Sequence, residues 1–176
     1  VEETWQDFAT NRSSALRLLR ARNVVEYAFV MDADETLTFD DGFDPRKFKA
    51  SLSHDYYNVE IRRGGIRYWR PQIMSNDRDF YYKGVLHEYI EAPDGVTSGD
   101  AIGFHIASGA SGGAREKDPD TYRRDARRLE DALDVESDSF LRSRYTFYLG
   151  QSYRDSNQLE KALDAYLARS EMGYWT

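Results

Sequence analysis

The sequence predicts a mixed α/β unit followed by a wholly helical segment, with the change near residue 117. Two features carry that expectation. From Tyr56 to about Ser108, short apolar runs rich in Tyr, Val and Ile alternate with polar residues and glycines, as strands do. Beyond Lys117 the apolar residues recur every three or four positions, as on helix faces.

Taken in order, "NRSSALRLLRAR" places Ala15, Leu16 and Leu19 on one helical stripe. "EYAFVM" follows as a short buried strand that runs out at Asp32-Ala33-Asp34-Glu35. Asp44-Pro45 reads as a helix start, with Asp as the cap and Pro in the first turn. "YYNVEIRR" and "IRYWRPQIM" flank Gly64-Gly65 and predict a hairpin. "DFYYKGVLHEYIEA" and "AIGFHIAS" read as two more strands, and the loop "SGASGGA" closes the α/β unit.

In the helical segment Tyr122, Ala126, Leu129 and Leu133 form one stripe. Leu141, Tyr145, Tyr148 and Leu149 form a second, and Leu159, Ala162, Leu163 and Tyr166 a third. The last two helices follow the tetratricopeptide spacing, a repeat of about 34 residues. Leu149-Gly150, Tyr153, Ala162 and Tyr166 fall on its positions, with Gly150 and Ala162 small where two helices cross. Thr146 stands where the pattern prefers Trp, and Arg169 where it prefers Ala. A lone repeat needs a neighbour to cover its face, either the helix at 121–134 or further repeats.

Composition narrows the function. A net charge of -7 argues against a nucleic-acid binder, which needs a basic face. There is no Cys, which excludes disulfide and thiol chemistry. No apolar run approaches the ~20 residues of a membrane-spanning helix, and Val1-Glu2-Glu3 opens no signal peptide, so the expected location is the cytoplasm. The chain does not begin with Met and reads as a piece of a longer one. Thirteen Tyr and three Trp suit either a surface that handles polar ligands such as sugars or a Tyr-rich core.

Trp5, Asp7, Phe8, Ala9 and Arg12 are followed in order by "MDADE", "GVLHEYI", "GFHIASGASGGAREKDPDTYRRDARRLEDAL" and "FYLGQSYRDSNQLEKALDAY". In that order and spacing these segments resemble inverting glycosyltransferases of the GT-A fold, in the bacterial subgroup whose catalytic domain runs into tetratricopeptide repeats. The resemblance implies residues 1–117 as the C-terminal part of a Rossmann-like nucleotide-sugar transferase domain, and 118–176 as a helical segment with one repeat. The family's first strand–helix–strand half, which holds the base and part of the ribose, is expected upstream. Ser13 departs from the family's usual Asn.

Transfer from a nucleotide-diphosphate sugar expels a diphosphate whose charge Mn²⁺ or Mg²⁺ neutralises, held by hard oxygen ligands. Asp32 and Asp34 at a strand end can present carboxylates to that ion, or to the ion and the ribose; a solvated turn is the alternative. The resemblance makes Asp34 the direct ligand and His105 the completing one, where a core histidine is equally open. Inverting transfer needs a base for the acceptor proton. Glu88 is the candidate, with His87 binding substrate; an ion pair of Glu88 with Arg62, Arg63 or Arg67 is the structural alternative. Trp69 offers a stacking face for a sugar, unless it is core. Arg12 faces the donor or braces the acidic turn, and Arg115 and Lys117 can clamp the diphosphate unless their loop is a tether. The acceptor is open: glycan, peptide or small molecule.

Two other functions compete. In a haloacid-dehalogenase-type phosphatase Asp32 would be the nucleophile and Asp34 the acid, and Thr36 fits its motif. Such an enzyme also needs a later strand followed by an acidic pair, which this sequence lacks; Ser108 and Lys117 are weak matches to its other groups. A non-catalytic scaffold binding a protein partner through its repeat helices is the third.

Overall fold

Side-chain caps and left-handed residues set several of the helix boundaries. The computed structural model describes residues 3–109, 118 and 120–174. Asp7 caps α1 (Phe8–Arg22), its carboxylate accepting from the Thr10 amide at 2.7 Å and the Thr10 hydroxyl at 2.9 Å. Asn23 ends the helix in the left-handed region, φ +48°, a conformation Asn tolerates better than most residues. Asp44 caps α2 (Pro45–Ser51), accepting from the amides of Arg46 (2.9 Å) and Lys47 (3.2 Å), and Pro45 opens it as expected.

The fold is mixed α/β, as predicted. Its strands are β1 (Tyr27–Phe29), β2 (Thr36–Phe39), β3 (Tyr56–Arg63), β4 (Ile66–Ser75), β5 (Tyr81–Lys83), β6 (Tyr89–Glu91) and β7 (Ser98–Ala107). A curled five-stranded sheet has the order β1-β4-β3-β7-β2. β3 and β4 form the expected hairpin, Arg63 opposite Ile66, with Gly64 at φ +57° in the turn. β3 and β7 run parallel; the other pairs are antiparallel. The residue alternation of β3 sends Tyr57, Val59 and Ile61 to one face, where they pack with Ile73, Ala101, Phe104 and Ile106. Phe43, Phe48 and Leu52 lie against that core. Gly103 has no room for a side chain: a Cβ there would stand 2.6 Å from the Phe43 ring.

The run "DFYYKGVLHEYIEA" is not one strand. β5 and β6 pair as a separate two-stranded sheet around a loop at 84–88. Gly84 (φ +105°) and His87 (φ +53°) turn the backbone out of the extended conformation. Leu86, 1% exposed, joins the helical core instead of the sheet.

Three helices follow: α3 (Thr121–Val135), α4 (Ser139–Asp155) and α5 (Leu159–Ser170). Asp138 caps α4, and Asn157 at φ +61° follows its end. α4 packs on both α3 and α5. Their shared core holds Ala126, Leu129, Leu141, Tyr145, Leu149, Tyr153, Ala162 and Ala165. Gly150 lies against the Tyr166 ring, 2.7 Å from where its Cβ would be. The third predicted stripe is corrected: Ala162 is 3% exposed, but Leu159 and Leu163 are 62% and 59% exposed. α5 turns its small residues inward, because a close helix approach excludes leucine-sized side chains.

The chain forms two compact units. Of the described residues, 12–81 and 90–109 form the sheet unit, and 3–11, 82–89, 118 and 120–174 form the helical unit. Segment 82–89 thus belongs with the helices. Among the described residues no helix is long and apolar enough to cross a membrane.

Candidate functional site

β1 carries the chain into the acidic turn, and the Val30 amide extends the pairing with β4 by donating to the Gln72 carbonyl at 2.9 Å. The turn closes on itself. The Glu35 amide donates to the Asp32 carbonyl at 3.1 Å, and the Asp32 amide donates to Glu35 Oε2 at 2.9 Å. The Glu35 side chain is 3% exposed and accepts from Arg70 Nη2 at 2.9 Å. Arg12 of α1 donates to the Asp32 carboxylate, so this arginine braces the turn. Asp34 is exposed and has no hydrogen bond or ion pair among the described residues. Of three carboxylates in the turn, two are held by arginines and one projects.

His105 lies mid-strand in β7, opposite Thr38 of β2 on one side and Glu60 of β3 on the other. Glu60 in turn stands opposite Trp69 of β4. Thr38, His105, Glu60 and Trp69 therefore form one row across four strands, on the face away from Ile61 and Ile106, with neighbours about 4.8 Å apart. Glu60 accepts from Arg62 Nη2 at 2.7 Å and lies 3.8 Å from Arg67 Nη1. The Arg62 hydrogen bond holds the Glu60 carboxyl below its ordinary range, with Arg62, Arg67 and His105 charges adding to the effect. His105 Nδ1 is buried and has no hydrogen-bond partner among the described residues. Trp69 is half-exposed and not core.

Glu60 is the residue that sequence reasoning passed over. The signal was the alternation in "YYNVEIRR", which puts Asn58, Glu60 and Arg62 on one strand face. Arg62 and Arg67, considered as partners for Glu88, are the partners of Glu60.

His87 and Glu88 lie in the β5–β6 loop of the helical unit. The His87 ring stacks on Tyr148 at 3.9 Å and 18°, and its carbonyl accepts from Arg144 Nη2 at 2.6 Å. Glu88 is half-buried. Arg115 and Lys117 lie outside the described residues.

As a test of fit to a divalent ion, Asp32 and Asp34 offer the hard oxygen donors that Mg²⁺ or Mn²⁺ prefers. Among the described residues no three His, Asp or Glu side chains gather closely enough to hold an ion. A separate cavity of about 680 Å³ opens on the core face of the sheet unit, lined largely by apolar groups including Phe29, Phe39, Phe48 and Phe104. Glu26, Tyr27 and Lys49 add polar groups to its lining.

No protein-family model matches this chain, and no curated protein matches it.

Proposed function

We propose that this chain is part of a metal-dependent inverting glycosyltransferase that uses a nucleotide-diphosphate sugar as donor. The single observation behind this is the braced turn that projects Asp34. Arg12 and Arg70 hold Asp32 and Glu35, leaving Asp34 to reach an ion without breaking an existing bond. The finer architecture, a GT-A-like unit followed by a tetratricopeptide-like pair, belongs to the same proposal. The fit of Gly150 under Tyr166 is in its favour.

In this reading Asp34, with Asp32, binds Mn²⁺ or Mg²⁺, which supplies charge neutralisation for the departing diphosphate. An acceptor hydroxyl attacks the anomeric carbon, the bond to the diphosphate oxygen breaks, and Glu88 takes the hydroxyl proton. Trp69 and His87 contact sugar or acceptor. In the full-length protein, Glu88→Gln is expected to abolish release of nucleoside diphosphate while nucleotide binding persists. Loss of binding and folding together would give Glu88 a structural role instead.

A second reading has its own support. Leu159, Leu163 and Leu167, 62%, 59% and 58% exposed, line the outer side of α5, as a protein-binding helix face would. Under it, Leu163→Glu removes partner binding and Asp34→Asn changes nothing.

A further inference from the structure

We infer that Arg144 of α4 is a positioning residue for Glu88, and that the helical unit is the platform on which the "GVLHEY" loop is set. This rests on the reading of Glu88 as the base. Residues on both sides of Glu88 are gripped by one helix. On one side, Arg144 Nη2 donates to the His87 carbonyl at 2.6 Å while the His87 ring stacks on Tyr148 at 3.9 Å. On the other, the Arg144 guanidinium lies over the Tyr89 ring at 5.1 Å, and Phe140 meets that ring edge-on at 5.6 Å.

The same guanidinium sits 5.2 Å from the Tyr148 ring, so one planar group bridges both flanks. Upstream, the Val85 amide donates to the Tyr145 hydroxyl at 3.3 Å, and Leu86 is sunk in the helical core at 1% exposure. Arg144, Tyr145 and Tyr148 fall within two turns of α4.

Backbone conformation explains why the grip is needed. His87 is held at φ +53°, a region that a residue with a Cβ occupies only when its surroundings enforce it. Released, the 87–88 peptide would relax toward extended values and swing the Glu88 side chain. A base displaced by about 1 Å loses on the order of 100-fold in rate, because proton transfer depends on alignment. Arginine suits the task in a way lysine does not. Its flat fork donates to the carbonyl while its faces cover two rings, whereas an ammonium has neither plane nor faces. The cation–π and hydrogen-bonding parts act together on one side chain.

The test uses the full-length protein with Arg144→Ala and Arg144→Lys, and its first readout needs no substrate. The His87 ring protons, assigned by their loss in a His87→Gln variant, are followed by NMR. In the wild type the Tyr148 ring current shifts them upfield. In Arg144→Ala they are expected to move toward free-histidine positions and the Glu88 amide to shift. The Leu86 methyls and the melting temperature should stay close to wild type. Unmoved His87 and Glu88 resonances would overturn the inference. So would collapse of the Leu86 signals together with the melting temperature, which marks a merely structural role.

The second readout is nucleoside-diphosphate release from UDP- and GDP-sugars with Mn²⁺. Arg144→Ala is expected to lower kcat on the order of 100-fold at unchanged donor KM, and Arg144→Lys to stay low. Wild-type kcat in either variant would also overturn it. If the wild type releases nothing from these donors, that counts against the glycosyltransferase reading, and the NMR result alone decides whether Arg144 positions Glu88.

Discussion

The acidic turn at 32–35 and the loop at 84–89 each present a carboxylate, but they are held by different forces. In the turn, charge holds charge: Arg12 pairs with Asp32, and Arg70 pairs with a nearly buried Glu35. In the loop the grip falls on a backbone carbonyl, two aromatic rings and a buried leucine. The difference extends to the units around them. The sheet unit adds Arg62 with Glu60 and Arg78 with Asp55, while α4 and α5 are joined by small residues under a tyrosine ring. A charged scaffold is sensitive to the loss of either partner; a packed one is sensitive to volume.

The largest expected effect breaks the turn. Arg70→Ala leaves the Glu35 carboxylate buried without its cation, and removing one partner of such a pair should cost about 3 kcal/mol, read from urea unfolding. A change below about 0.5 kcal/mol, the range of ordinary surface substitutions, would mean that charge does not hold the turn.

Next comes volume in the helical unit. Gly150→Ala gains helix propensity but drives a methyl into the Tyr166 ring, and the net cost should be about 1 kcal/mol. In a Tyr166→Ala background the same change should become stabilising. If it destabilises there too, the ring is not the obstacle.

Acid should then separate the two scaffolds. Two hydrogen bonds from Thr97 and one from Arg78 hold the Asp55 carboxyl down at about 2. An unfolded Asp titrates near ~3.9, so the folded value is depressed and this stabilisation is complete above about pH 4. It is lost as pH falls toward 2. The melting-temperature gap between wild type and Asp55→Asn should therefore close between those values; a gap constant with pH would contradict the assignment.

The smallest effect concerns the projecting carboxylate. Asp34→Asn, which severs no bond among the described residues, should leave stability within about 0.5 kcal/mol. A larger loss would make Asp34 a structural residue.

How much of this the sequence disclosed depended on range. The Asp44-Pro45 helix start and the Gly64-Gly65 hairpin were legible because each is decided by a few adjacent residues. The loop at 84–88 was not, since nothing local compels His87 to φ +53°; contacts from α4, almost sixty residues on, hold it there. Glu60 stayed hidden because its neighbours His105 and Trp69 meet it through cross-strand pairing, one of them in a parallel ladder. Glu35 carries no role in the sequence pattern beside Asp32 and Asp34, yet its side chain is the buried one of the turn. On α5, periodicity marked the apolar residues but not which were small enough to face inward.

The central claim is that Asp34 serves a metal-bound diphosphate. Its most direct test is thermal unfolding of the full-length protein with nucleoside diphosphates, with and without Mn²⁺, in wild type and Asp34→Asn. A ligand at ~100 times its Kd adds about 2.7 kcal/mol to the native state. The account predicts that gain for a nucleoside diphosphate only when Mn²⁺ or Mg²⁺ is present, and its disappearance in Asp34→Asn. Stabilisation by Mg²⁺ with beryllium fluoride, which mimics a phosphorylated Asp32, and none by any nucleotide, would contradict it.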